Sequence, residues 1–241
     1  MIWIFFFALF LISLIGSFIP HFFKRINPIK LTLLLAFSGS FLFGITIIHL
    51  MPEAFHELDH KAGILIMVGF LLQLILQKFS HGAEHGHIHN DNENHQHAVL
   101  PIFLGLSIHA FIEGIPLGFN FQQVATMPSL FLGVSAHKLP EALTLGILLF
   151  DSKDTKNKTF LLILFALMSP VAGMLAMYYG QKFYIVSHLL TAAVPIVIGS
   201  FLHIATTILY ESGTKHHELS RQKVLMVLLG IGFAVLTLLF H

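Results

Sequence analysis

Apolar residues run along this chain in stretches too long for an alternating strand and too complete for the one-sided stripe of a soluble helix. The first, "IWIFFFALFLISLIGSFIPHFF", is apolar on nearly every face, and similar runs recur to the end of the chain. A helix needs about 20 mostly apolar residues to cross a bilayer. There it also satisfies its own backbone polar groups. The pattern predicts an all-α polytopic membrane protein of eight transmembrane helices. They cover roughly 2–23, 31–56, 62–79, 98–120, 129–150, 159–180, 186–210 and 224–241. No soluble domain interrupts them, so 1–241 reads as a single transmembrane domain. The first run lacks a basic leader and a small-residue cleavage site, and reads as a retained helix rather than a signal peptide.

The polar breaks are short except for residues 80–97, "SHGAEHGHIHNDNENHQH". Asn, Gly and His dominate this tract, and its near-absence of apolar residues predicts a flexible loop. Lys and Arg set an orientation. Lys24, Arg25, Lys30, Lys78, Lys153, Lys156, Lys158, Lys215, Arg221 and Lys223 fall on one side, against Lys61 and Lys182 on the other. The richer side is read as cytoplasmic, which places both termini outside the cytoplasm and the His-rich loop inside it.

Composition sharpens this picture. The chain is 56% hydrophobic and 10% charged, where soluble domains carry about 25% charged residues. Its formal net charge of +1 gives no basis for a nucleic-acid partner. The bilayer is the partner that the composition does specify. With no cysteine, disulfides and thiolate ligands are excluded, so a transition metal would rely on His, carboxylate or Met.

Two stretches then stand out. "SIHAFIEGIPLG" (107–118) and "SAHKLPEALTLG" (135–146) share one skeleton of Ser, His, Glu and Gly. Residues four apart on a helix lie about 40° apart around it. His109 and Glu113 therefore share a face of helix four, and His137 and Glu141 share a face of helix five. The short connection between these helices predicts antiparallel neighbours. Two imidazoles and two carboxylates would then converge inside the bilayer, a donor set suited to zinc and related divalent metals. Ionisable groups at that depth are costly and mark function. Pro116 and Pro140 would free the carbonyls of Ile112 and Ala136 beside them. Lys138, the one basic residue at mid-helix depth, sits within the second motif.

Other candidates flank this centre. His49 and Glu53 repeat the spacing of four on helix two, and His56, Glu57, Asp59 and His60 follow in an outward patch suited to gathering cations. His203 lies in helix seven with Thr206 and Thr207. His81, His85, His87, His89, His95 and His97 make the cytoplasmic loop a weak metal acceptor that fixes no geometry.

"HAFIEG" and "HKLPEA" resemble the helix-four and helix-five signatures of the ZIP (Zrt-/Irt-like) metal transporter family. "GITIIHLMPEAFHE" resembles its second helix and "IGSFLHIATTILYES" its seventh. The resemblance implies a bundle in which helices 1–3 and 6–8 are related by pseudo-symmetry around helices 4–5. It implies divalent cation uptake toward the cytoplasm by an elevator-like movement. It also implies His109, Glu113, His137 and Glu141 as primary ligands. Lys138, His49, Glu53 and His203 are read from their own positions as pathway candidates, with an interhelical hydrogen bond the alternative role for His203. A second metal site found in some members would need ligands where this chain has Ala110, Lys138 and Ser169, so one site per chain is expected. There, the ammonium of Lys138 would stand in for the second cation.

The expected function is transport of a divalent metal, Zn²⁺ foremost, with Fe²⁺, Mn²⁺, Co²⁺ and Cd²⁺ compatible with the same donors. The ion is cargo, so no resident cofactor is expected. The expected location is the plasma (inner) membrane, and homodimerisation is left open. The rival readings are an intramembrane zinc hydrolase, which would need an open coordination position and a general base, and a non-transporting metal sensor built on the His-rich loop.

Overall fold

A computed structural model describes residues 2–23, 26–80, 99–119, 127–152, 155–211 and 220–240. They form eight long helices: α1 (Ile2–Phe22), α2 (Pro28–Leu58), α3 (His60–Ser80), α4 (Val99–Phe119), α5 (Met127–Asp151), α6 (Lys158–Lys182), α7 (Tyr184–Glu211) and α8 (Arg221–Leu236). A 3-10 turn, Thr237–Phe240, extends α8. No strand occurs among the described residues. The protein is an all-α polytopic membrane protein.

Seven of the eight helices are long and apolar enough to cross a membrane unaided. The exception is α5. Its 25 residues would span about 37 Å at 1.5 Å per residue, enough for the hydrocarbon core of about 30 Å. Length is therefore not its deficit. His137, Lys138, Pro140 and Glu141 occupy its middle and interrupt its hydropathy, and all four are buried by the helices around it.

Local chemistry sets the helix ends. Asn27 caps α2 by accepting the Ile29 N–H at 2.9 Å, with Pro28 in the first turn, where its missing N–H costs nothing. Ser220 caps α8 through the Lys223 N–H at 3.3 Å. Lysines serve the opposite ends. Lys158 Nζ donates to the carbonyls of Phe150 and Ser152 at the end of α5. Lys223 Nζ donates to the Leu209 carbonyl near the end of α7 at 3.0 Å. A cation at a helix C-terminus satisfies orphan carbonyls and complements the dipole. Within the spans, Ser13, Ser38, Ser40, Thr46 and Thr144 return their hydroxyls to carbonyls of their own helices.

Two departures from the sequence pattern matter. The loop expected between the second and third helices shrinks to Asp59, whose φ of 49° and ψ of −137° lie outside the left-handed helical basin, a strained backbone for a residue with a Cβ. α2 is also not uniform, because Thr46–Leu50 form a π-helical turn.

Side-by-side packing is dominated by four helix pairs: α1 with α5, α4 with α6, α2 with α8, and α3 with α7. α1 also lies against α6, and α2 against α7, which joins the pairs into one group of α1, α4, α5 and α6 and another of α2, α3, α7 and α8, and the two groups meet along α2 and α5 no less extensively than α2 meets α7. Exchanging α1–α3 with α6–α8, and α4 with α5, maps the four pairs onto themselves. α4 and α5 are less intimate than the sequence suggested. Each packs most closely on another helix, and they meet more sparsely. The α4–α6 approach depends on small residues. A Cβ at Gly114 would collide with the Ser169 carbonyl, and one at Gly118 with the Gly173 carbonyl.

That contact generates a prediction. Gly118→Leu must force α4 and α6 apart, and overpacking of this kind costs about 1–3 kcal/mol. Thermal unfolding of purified protein in detergent should show a lower midpoint. An unchanged midpoint would mean that the approach of the two helices is not needed for stability.

Candidate metal centre

Each of α4 and α5 carries His and Glu one turn apart, and the fold turns both faces to the same interior point. His109, Glu113, His137 and Glu141 are all buried, and one donor atom from each lies within 4.8 Å of every other. A tetrahedral zinc holds N and O donors about 2.0–2.2 Å from the metal, hence about 3.4 Å from each other. Small side-chain rotations would close the difference. The rings of His109 and His137 stand edge to face, with centroids 6.0 Å apart and planes at 81°. Nε2 of His109 is 3.3 Å from Oε2 of Glu113, without the alignment of a hydrogen bond.

The polar atoms of this cluster divide into two sets. On one side, Lys138 Nζ pairs with Glu113 Oε1 and with Glu141 Oε2, the latter at 2.5 Å. On the other side, Glu113 Oε2, Glu141 Oε1 and both ring nitrogens of each His have no hydrogen-bond partner among the described residues. Burying a carboxylate oxygen or an imidazole nitrogen without a partner costs several kcal/mol. Four donor atoms, one from each of these residues, gathered within 4.8 Å of one another suit a cation, and both residue types are good donors to zinc and its neighbours.

α6 completes the surroundings. Ser169 Oγ lies 2.8 Å from the Ala110 carbonyl and 3.2 Å from Glu113 Oε1. The close α4–α6 approach at Gly114 brings it there. The sequence marked Ser169 only as a position without a metal ligand, and its service to Glu113 was not foreseen. The signal was its place before Pro170, in register with Ala110. Phe165, one turn earlier on α6, lies 5.2 Å from Lys138 Nζ, within reach of a cation–π contact. Nothing in the sequence set this Phe apart from the other 24. Pro116 and Pro140 both lie inside continuous helices.

The remaining candidates sit elsewhere. His49 is buried in the π-helical turn, where its Nε2 meets Thr237 Oγ1 of the 3-10 turn at 2.7 Å. Glu53, four residues on, is half-buried. His203 is buried on α7, its ring edge-on to Phe70 at 4.8 Å, and its carbonyl accepts from Thr206 and Thr207. None of the three joins the four clustered donors. His56 and Glu57, and Asp59 and His60, form exposed pairs at 3.8 Å. His81, His85, His87, His89, His95 and His97 lie outside the described residues.

Known proteins bear on this arrangement. The chain is similar to zinc transporter ZIP9 of Xenopus tropicalis, 30% identical over 204 residues that cover 74% of this chain and 66% of that protein. It is similar to zinc transporter ZIP9-A of Xenopus laevis, 29% identical over 201 residues that cover 73% and 65% of the two chains. In zinc transporter ZIP9 of Micropogonias undulatus the match is 30% over 129 residues, or 51% of this chain and 41% of that one. The matched stretch thus spans just under two thirds of the first two relatives and less of the third. A family model described as "ZIP Zinc transporter" matches residues 1–102 and 98–239. Together these two stretches take in nearly the whole sequence. The chain belongs to the ZIP zinc transporter family.

Proposed function

We propose that this protein carries divalent metal ions, zinc foremost, across its membrane toward the cytoplasm, and that His109, Glu113, His137 and Glu141 hold the ion in transit. One observation carries the reading: four buried donors from two helices converge within 4.8 Å in a bundle built to cross a bilayer. The same donors would accept Fe²⁺, Mn²⁺, Co²⁺ and Cd²⁺. The family is one of transporters, so the hydrolase reading is set aside.

The packing suggests how the ion moves. The four donors, Lys138, Phe165 and Ser169 all sit on α4, α5 and α6, within a single packing group. Movement of that group against α2, α3, α7 and α8 would carry the site as a unit, an elevator-like cycle with internal two-fold pairing. In this reading both termini lie outside the plasma (inner) membrane, and 1–241 is one transporter domain. Glu53 and the exposed His56, Glu57, Asp59 and His60 gather cations at the outer end. His49 and His203 line the route, and the His-rich tract receives ions inside.

Three outcomes test this. His109→Ala and His137→Ala each remove one neutral donor and should reduce zinc uptake into proteoliposomes at least about tenfold, the effect of losing roughly 1.4 kcal/mol or more of binding. Normal uptake by both variants, correctly inserted, would refute the assignment.

Zinc affinity should weaken on acidification, because a ligating His must be neutral and the proton competes with the metal. Equilibrium binding measured across pH reads this directly. Affinity that rises as pH falls would contradict imidazole ligation.

Removing residues 81–97 should leave most uptake intact, since the four donors proposed to hold the ion stand on α4 and α5. Loss of all transport at normal membrane abundance would show the tract to be part of the pathway.

A further inference from the structure

Lys138 is among the largest fully buried side chains of the protein, and its ammonium touches both carboxylates of the candidate site. It takes one oxygen from each. Glu113 gives Oε1 and Glu141 gives Oε2, which leaves Glu113 Oε2, 3.3 Å from His109 Nε2, and Glu141 Oε1 without hydrogen-bond partners among the described residues. The ammonium and a metal ion therefore do not compete for the same atoms. The carboxylates bridge them, with the lysine on one side and the cargo on the other. Lys138 stands on α5 between His137 and Glu141, with Phe165 of α6 beside its ammonium, so it travels with the site.

The charges follow by addition. With both glutamates ionised, both imidazoles neutral and Lys138 protonated, the site carries one net negative charge, and a divalent ion turns this into one net positive charge. Without Lys138 the same two states would carry two negative charges and none. A doubly charged site in a low-dielectric interior is far costlier than a singly charged one, because both carboxylates lose their counter-charge and repel each other.

We infer that Lys138 is the permanent counter-ion of the carrier's return step: it lets the metal-free site travel back through the membrane without a co-transported or exchanged ion. This rests on the transport reading above and adds a specific consequence. Each cycle moves the divalent ion inward, while the ammonium shuttles back and forth with its two glutamates. Net uptake therefore carries two positive charges per metal ion. Exchange of metal for metal uses only the loaded form and does not depend on the return of the metal-free site.

The test uses the full chain in proteoliposomes with the membrane potential set by potassium and valinomycin. Radioactive zinc reports flux, and a potential-sensitive readout reports charge. The expected ratio is about two charges per zinc. Electroneutral uptake would overturn the inference, and this readout needs no variant. Lys138→Met should then depress net uptake by at least about tenfold more than it depresses zinc-for-zinc exchange. Lys138→Arg, which keeps the charge, should restore part of the net uptake. A Lys138→Met protein that loses both modes equally, while Lys138→Arg restores neither, would reduce Lys138 to a packing role. If the unmodified chain moves zinc in neither mode, the transport reading itself fails, an outcome distinct from the loss of the lysine's part in it.

Discussion

Two glutamates with 1% and 0% of their surface exposed set the terms for the middle of this bundle. An ion of that kind taken out of water loses several kcal/mol of hydration, which only a close opposite charge and well-placed donors offset. Lys138 supplies the charge to both carboxylates. Ser169 supplies a hydroxyl to Glu113, and it is near enough because α4 and α6 meet at glycine. Helix packing, small residues and electrostatics are thus one arrangement. Widening the α4–α6 contact would draw a donor away from a buried charge.

The same logic explains why α5 falls short of a self-sufficient membrane span. A helix with Lys, Pro and Glu at its centre is unsuited to face lipid, and it is sheltered instead by α1, α2 and α6. Burial of a polar helix by apolar ones fits the rule that intramembrane ionisable residues face protein or a water path. The lipid-facing surface falls to others, and α3 exposes Ile64, Met67, Leu71, Leu74 and Ile75.

Much of this was legible in the chain. Long apolar runs located the helices, because a span must be apolar over a fixed length, and α5 was found within such a run despite the polar residues at its centre. The repeated His–Glu spacing predicted the four clustered donors, because one helical turn is a rigid ruler. The repeat also set Lys138 inside the second motif, though not the choice of one oxygen from each glutamate. Other features were hidden for physical reasons. Which helix packs on which depends on long-range fit, so α1·α5 and α4·α6 were not readable from loop length. His49 and Glu53 looked like a third helical pair, yet a π-helical turn alters the register between them and His49 bonds to Thr237 instead. Phe165 was indistinguishable from its many counterparts.

That π-helical turn has one more consequence. It acts as a one-residue change of phase within a continuous rod. Up to Ile45, α2 packs on α8 with Gly44 against Ala234, and beyond Leu50 it lies against α3 and α7. Each residue of phase is worth about 100° of rotation in an α-helix, so the segment beyond the turn, with Glu53 and His56, is keyed separately from the segment before it. A single helix thereby answers to two neighbourhoods. Sequence drift at its mouth can re-aim the acidic and imidazole side chains without unseating the packing below.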